Sequence, residues 1–361
     1  MVTSAVPAQM KAAVYTGDSR LEVLDVPMPE LGPGEVLVKV HSCGICHTDL
    51  KKVEYNLLPP PRIFGHETAG EIAAVGEGVE GYAVGDRVIV FHHIPCGECF
   101  YCKRRLYAQC AIYKKVGVTA GYEPAGGGFA QYVRVMDWIV RRGMEKIPDG
   151  VSYDVATFVE PLNTCLKAVT GCNPQPGEVV LVLGQGPIGL IFTMLVSRTG
   201  ATVVATDMIQ KRLELARRCG AKAALRADSI EVRKQVQALT DGRGADTVIV
   251  AASAPGIVDQ AFACSRPGAT IALFAQTSNK ECIQVGGGDL VAAERRLVGY
   301  YSADVDLQKE SANLVFGGEL PLAELISHRY ALSEIHEGIE QALHPDENSL
   351  KIVVQPQRWA E

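Results

Sequence analysis

Nowhere in the 361 residues does an apolar run reach the roughly 18 to 20 positions needed to cross a bilayer. The N-terminus, MVTSAVPAQMKAAVY, lacks the succession of charged, apolar and cleavage-site regions that marks a secretory leader. A cytoplasmic setting is therefore expected, with no membrane partner. Positive charge is also in short supply. The 35 Lys and Arg against 41 Asp and Glu leave a formal charge of −6, so there is no general attraction for nucleic acid or an anionic surface. No internal repeat or low-complexity tract is visible, which sets aside solenoids and disordered segments. The cysteines lack an even count: there are eleven. In a large chain in a reducing compartment they read as metal ligands or reactive thiols rather than disulfides.

What is present describes an ordinary globular chain, 47% hydrophobic and 21% charged, with 36 glycines and 19 prolines to punctuate short elements. Its length exceeds one usual hydrophobic core, and two domains are expected. Residues 11–40 alternate apolar and polar positions in KAAVY and GEVLVKV, separated by PMPELGPG, and that period of two is the mark of strands. The texture continues through GEIAAVGEGVEGYAVGDRVIV and FAQYVRVMDWIVRRG, predicting a β-rich first domain. A helical spacing within residues 146–177 leads to a boundary near 170. From there strands VVLVLG, TVVATD, DTVIVAA and TIALFA alternate with helices PIGLIFTMLVSRTG and QKRLELARRCG, the order of a parallel sheet covered on both faces. The fold class is α/β. Near the C-terminus SHRYALSEIHEGIEQAL reads as a helix and KIVVQP as a strand, a segment that returns to the first domain.

VVLVLGQGPIGL sets Gly184, Gly186 and Gly189 in G-x-G-x-x-G between an apolar strand and a helix. The first glycine permits the tight turn, the second lets the backbone approach a pyrophosphate, and the third allows the helix to pack closely on the strand. Pro187 and Ile188 begin that helix, whose N-terminus attracts phosphate charge. Asp207 ends the next strand, 18 residues after Gly189, where its carboxylate can accept the adenosine ribose hydroxyls. It would also repel a 2′-phosphate, which favours NAD over NADP. Arg212 is a flanking residue for the adenine or ribose, or a solvated arginine at a helix start.

Two cysteine-bearing sets remain. Cys96, Cys99, Cys102 and Cys110 follow C-x2-C-x2-C-x7-C. Four thiolates from one short loop can close a tetrahedron around Zn²⁺ and leave no room for substrate, the signature of a structural site. An iron–sulfur cluster is the competing use. His92 and His93 lie nearby but are not assigned to the metal, which four sulfurs satisfy. The second set is dispersed: CGICHTD holds Cys43, Cys46, His47, Thr48 and Asp49, GHE holds His66 and Glu67, and FVEPLN holds Glu160. Cysteine, histidine and carboxylate with an open position make a catalytic zinc that polarises an alcohol or carbonyl oxygen.

Together CGICHTD, GHE, PCGECFYC with a further cysteine, VEPLN, VLGQGPIGL and ATD resemble the zinc-dependent medium-chain alcohol and polyol dehydrogenases, in the family's order over nearly the whole chain. The resemblance implies a GroES-like catalytic domain in residues 1–170 carrying both zincs, a Rossmann NAD-binding domain in 171–303, and a C-terminal segment, 304–361, completing the catalytic domain. It implies Cys46, rather than Cys43, as the catalytic-zinc thiolate and His66 as the imidazole. Glu67 stands beside the metal as a fixed or exchangeable ligand, and Glu160 meets it directly or through water. Asp49 orients the histidine. Thr48 relays the proton of the alcohol, and His47 continues the relay or faces the pyrophosphate. GYYSAD, residues 299–304, resembles the family's turn near the nicotinamide. Several relatives end the relay with a histidine two residues beyond the aspartate; this chain has Lys51, so Lys51 or Lys52 is expected either to contact a polar or anionic part of the substrate or to be solvated. Tyr55, Leu57 and Leu58 line the substrate entrance or pack. The expected activity is hydride transfer between a secondary alcohol, in a polyol, sugar or cyclitol, and NAD, by a homodimer or homotetramer with two Zn²⁺ per chain. Threonine-type or simple alcohol oxidation is the alternative within the enzymes. A non-catalytic zinc and NAD sensor and a zinc-free quinone reductase are alternatives of other kinds.

Overall fold

The computed structural model describes residues 6–91, 94–112, 126–275 and 282–359, and the sheets below are those of the described residues. The chain divides into two compact units, one made of residues 1–161 and 303–361 and the other of 162–302. The division falls between Pro161 and Leu162, inside the helix Val159–Cys172, whereas the texture of the sequence changes near 170.

The first unit is β-rich. Its larger sheet runs in the order Ile326–Ala331, Lys351–Gln355, Val36–Gly44, Glu67–Val75, Arg87–Val90 and Met144–Lys146, with Tyr132–Val135 also pairing with Val36–Gly44. The antiparallel pair Val36–Gly44 and Glu67–Val75 is its centre, and register shifts at Leu37/Val38 and Val40/Ser42 bend it as bulges do. Val36, Val38, Val40, Ile72 and Val88 are fully buried along it. Gln9–Gly17, Arg20–Pro27 and Arg62–Ile63 form a smaller antiparallel sheet. Glu35, at the entry to Val36–Gly44, is buried and accepts two hydrogen bonds from Arg134 at 2.6 and 2.9 Å and one from the Gly32 N–H at 2.6 Å, which ties two neighbouring strands together.

One expectation is corrected here. The first part of SHRYALSEIHEGIEQAL is a strand, Ile326–Ala331, and only Ile335–Leu343 is an α-helix. Ile326–Ala331 pairs in parallel with Lys351–Gln355, and Arg329 donates to Asp154 at 2.7 Å. These long-range partners outweigh the weak local pattern, which carries no clear period.

The second unit contains a six-stranded, wholly parallel sheet in the order Ala223–Arg226, Thr202–Asp207, Val179–Leu183, Ala245–Val250, Ser265–Leu273, Arg296–Gly299. Counted from its own first strand this is 3-2-1-4-5-6, the doubly wound dinucleotide-binding order. All five residues of Val179–Leu183 are buried, as a central strand covered on both faces requires. The helix Pro187–Arg198 follows it, opening on proline, whose fixed φ suits the first helical position.

Candidate metal centres and dinucleotide turn

Cys46 precedes the helix His47–Glu54 in an extended conformation, and its sulfur makes no capping bond. Its carbonyl accepts the Asp49 N–H at 2.9 Å, which starts the helix. Glu67 opens the strand Glu67–Val75 and His66 immediately precedes it, both buried. The ligand atoms of Cys46, His66 and Glu67 all lie within 4.8 Å of one another. One sulfur, one ring nitrogen and one carboxylate at that spacing fit Zn²⁺ and leave a coordination position to spare. Behind them the Asp49 carboxylate, completely buried, meets Nδ1 of His66 at 3.0 Å. That contact leaves Nε2 for a metal, the arrangement in which a carboxylate fixes the tautomer of a ligating histidine. Burial works against the His66 imidazolium, yet Asp49 and Cys46 outweigh it and hold its pKa well above the usual value. The pocket is thus built to stabilise positive charge.

Glu160 lies outside that triad of ligand atoms but within its electrostatic reach. Burial pushes its carboxyl up to about 7, helped by Glu67 and opposed by His66. Cys43 points elsewhere: its thiol is buried 3.7 Å from the Thr68 hydroxyl, and desolvation drives its pKa far up. His47 and Thr48 are exposed on the first turn of their helix, and partial desolvation of the ring together with the Lys51 charge holds His47 below the usual imidazole value. The two lysines differ. Lys52 is drawn to Asp49 at 3.7 Å and lies over the Phe64 ring at 5.5 Å, while Lys51 is half-buried within reach of Cys46 and Glu54. Tyr55 and Leu57 are exposed and Leu58 half-buried.

Cys96, Cys99, Cys102 and Cys110 form the second cluster. The sulfur separations of 3.4 Å for Cys99 to Cys102, 3.6 Å for Cys110 to Cys96 and 3.8 Å for Cys96 to Cys102 approach the edge of a tetrahedron, about 3.8 Å for a Zn–S bond near 2.3 Å. Two short 3₁₀ turns, Cys102–Arg104 and Tyr107–Gln109, fold the loop so that all four sulfurs converge. Burial and the neighbouring thiols push Cys102 up to about 12, so a bound cation is what would hold that sulfur as a thiolate. His92 and His93 lie outside the described residues.

In the other unit each glycine of the turn has its own reason. Gly184 has φ +93°, and a Cβ on Gly189 would stand 1.8 Å from the Gly184 carbonyl oxygen. A Cβ on Gly186 would meet nothing within 4 Å, so that edge of the turn is open for a ligand. The buried Asp207 carboxylate accepts the Gln185 N–H at 2.6 Å and the Ile209 N–H at 2.9 Å, and Arg212 Nη1 stands 4.0 Å away. Gln185, fully buried, donates to the Gly184 carbonyl at 3.0 Å and accepts from the Thr193 hydroxyl at 2.9 Å. It pins the turn to its helix. Beyond the last strand, Tyr300 Oη lies 3.8 Å from the Cys172 sulfur, and the Tyr301 carbonyl accepts from Lys167 at 3.0 Å.

Residues 32–149 match the family model for the alcohol dehydrogenase GroES-like domain, and residues 187–315 match that of zinc-binding dehydrogenases. Sorbitol dehydrogenase of Bacillus subtilis (strain 168) is 30% identical over 99% of this chain and 100% of its own. L-threonine 3-dehydrogenase of Pyrococcus abyssi (strain GE5 / Orsay) is 34% identical over 86% of this chain and 88% of its own. Among solved structures, 2R,3R-butanediol dehydrogenase from Bacillus subtilis superposes with a TM-score of 0.83 at 27% identity, covering 96% of this chain and 100% of that one. The chain belongs to the zinc-dependent medium-chain dehydrogenases.

In this medium-chain dehydrogenase one charged group beside the triad has no counterpart among the sequence motifs. Lys351, 5% exposed, forms an ion pair with Glu67 and donates to the Ile45 carbonyl at 3.1 Å. Burial works against its charge, but Glu67 and Cys46 outweigh it and hold the ammonium's pKa above the usual value. The available signal is a lysine opening KIVVQP, a run otherwise buried through Val354, since a lysine at the start of a buried strand needs a partner.

Proposed function

We propose that this chain oxidises a secondary alcohol of a polyol, sugar or cyclitol with NAD as acceptor, and reduces the corresponding ketone in reverse. One observation carries this above the others: a cysteine sulfur, an imidazole and a carboxylate converge within 4.8 Å, with a buried carboxylate behind the imidazole, in a chain that also builds a dinucleotide turn. Bound zinc would supply Lewis acidity to the substrate hydroxyl, and bound NAD the hydride acceptor. The protein's own groups do the rest. Cys46 and His66 hold the metal, Asp49 keeps the histidine in the ligating tautomer, and Thr48 presents a hydroxyl able to take the substrate proton and pass it to His47 or solvent. The low pKa of His47 keeps it neutral and able to accept at pH 7. Asp207 and the open edge at Gly186 bind the adenosine half of NAD, with Arg212 beside them.

Lys51 belongs to the same proposal as a contact for a polar or anionic substituent of the substrate. It is supported by the charge it places near Cys46 while Lys52 is drawn to Asp49. Unchanged Michaelis constants in Lys51→Ala for every substrate found would remove it. Assembly as a homodimer or homotetramer is supported by the strand Arg296–Gly299, which among the described residues has a neighbour on one side only, and by Leu290 and Val291 exposed just before it. Light scattering on the purified protein decides this. No helix among the described residues is long and apolar enough to cross a membrane. Cytoplasmic residence is supported by eleven cysteines of which none is paired in a disulfide. The substrate class is tested by following NADH production by the zinc-loaded protein over polyols, cyclitols, sugar phosphates and threonine. Turnover confined to threonine or to simple alcohols would replace the polyol assignment.

A further inference from the structure

The strand that carries Lys351 enters the large sheet late in the chain, pairing antiparallel with Val36–Gly44 so that Val353 faces Gly44 and Val354 faces Cys43. Glu67 faces Gly44 from the other side. A Cβ at Gly44 would stand 2.6 Å from Cε and 2.8 Å from Nζ of Lys351, and closer still to the Glu67 carboxylate. The glycine therefore leaves the space in which the ion pair forms, two residues before Cys46. Lys351 donates a second time to the Ile45 carbonyl at 3.1 Å, so the ammonium is anchored to the same backbone segment that presents the thiolate. An ammonium with three donors and fixed partners acts as a rigid clamp rather than a mobile counter-ion.

The Glu67 carboxylate thus has two claims on it. It is one of the three donors that can reach a metal at Cys46 and His66, and it is the counter-ion of a buried lysine. A carboxylate held by an ammonium is a poorer donor to a second cation, because its charge is already shared and its orientation is set.

We propose that Lys351 is a positioning residue that withholds Glu67 from the metal and so leaves a second coordination position through which water and the substrate oxygen can exchange. This rests on zinc being held at Cys46 and His66. With the clamp gone, Glu67 turns fully to the metal, binds it more tightly and closes the position through which water and substrate exchange. The sign is the useful part, since loss of a merely structural tie loosens a metal site.

Zinc release to a coloured chelator from the zinc-loaded enzyme tests this, with the phase belonging to the Cys46 site identified as the one that Cys46→Ser removes. In Lys351→Met that phase is expected to slow roughly tenfold, with turnover falling while NADH binding is kept. Lys351→Arg, which retains the charge, is expected to restore release to within about threefold of wild type. Should Lys351→Met not fold, the neutral pair Lys351→Met with Glu67→Gln keeps the volume and removes both charges. Its release rate then stays within about threefold of wild type, because Glu67 was not holding the metal. Faster release from Lys351→Met, or roughly tenfold faster release from the neutral pair, overturns the proposal. A Cys46→Ser trace identical to wild type instead overturns the metal assignment on which it stands.

Discussion

Replacing Asp49 by asparagine removes one charge from the buried surroundings of His66 and almost nothing else. The side chain of Asp49 is 1% exposed, its Oδ1 lies 3.0 Å from His66 Nδ1, and the Lys52 ammonium is 3.7 Å away. Asparagine fits the same space and can still accept the ring N–H. It no longer offers the negative charge that makes the ring a stronger donor to a metal, and it can turn its amide to present the wrong group. Removing such a supporting partner weakens metal affinity by roughly 10- to 100-fold, equivalent to about 1.4 to 2.7 kcal/mol. Zinc titration against a competing chelator should show this loss at the Cys46 site and leave the four-cysteine site unchanged. In the metal-free protein the His66 imidazolium should also titrate at lower pH in Asp49→Asn, because Asp49 and Cys46 are what raise it against burial. A folded Asp49→Asn protein whose zinc affinity stays within twofold of wild type, with His66 unmoved, would refute the orienting role.

Cys99→Ala should remove one zinc per chain, lower the melting temperature and leave the Michaelis constants of the surviving enzyme little changed, since its sulfur belongs to the four-thiolate cluster alone; a selective loss of turnover would contradict this. Asp207→Asn should raise the ratio of NADP to NAD use by removing repulsion, while its single amide oxygen keeps only one of the two bonds that the Gln185 and Ile209 N–H groups make to different carboxylate oxygens, and an unchanged ratio measured by initial rates counts against the charge. Asp207→Gly should in addition weaken binding of both cofactors, because those two N–H groups lose their acceptor. Glu35→Gln should cost about 1.5 to 3 kcal/mol in urea denaturation at pH 7. Burial alone would raise the Glu35 pKa, but Arg134 and the Gly32 N–H outweigh it and set it below the usual carboxylate value. The stability this confers is complete above the unfolded value of about 4.3 and disappears as pH falls through the lower folded value. The two proteins should therefore converge in strong acid, and a difference that persists undiminished would be inconsistent with an ionised Glu35.

The sequence motifs announce what is local. The four cysteines of residues 96–110 are close in the chain because one loop must supply a whole tetrahedron, and the glycine turn is readable because each glycine answers a steric demand within a few residues. What stays hidden depends on distant partners. Lys351 meets the Ile45 carbonyl across 306 positions, and nothing near KIVVQP says which carboxylate it will face. Gln185 occupies an unspecified position of G-x-G-x-x-G, yet it is wholly buried and bridges turn and helix. Ile326–Ala331 becomes a strand through its partner Lys351–Gln355 rather than through its own period. Glu160 falls outside the tight ligand triad because it is carried by the helix Val159–Cys172 rather than by the two adjoining segments that bear Cys46, His66 and Glu67.

The most direct test of the catalytic-zinc assignment is Cys46→Ser, assayed for zinc content, NADH binding and turnover in the same preparation. Wild type should carry two zincs per chain, and Cys46→Ser should retain the one held by the four cysteines, bind NADH normally and lose turnover. A Cys46→Ser protein that keeps both zincs, or that turns over substrate at a substantial fraction of the wild-type rate, would contradict the assignment of the chemistry to the Cys46, His66 and Glu67 site.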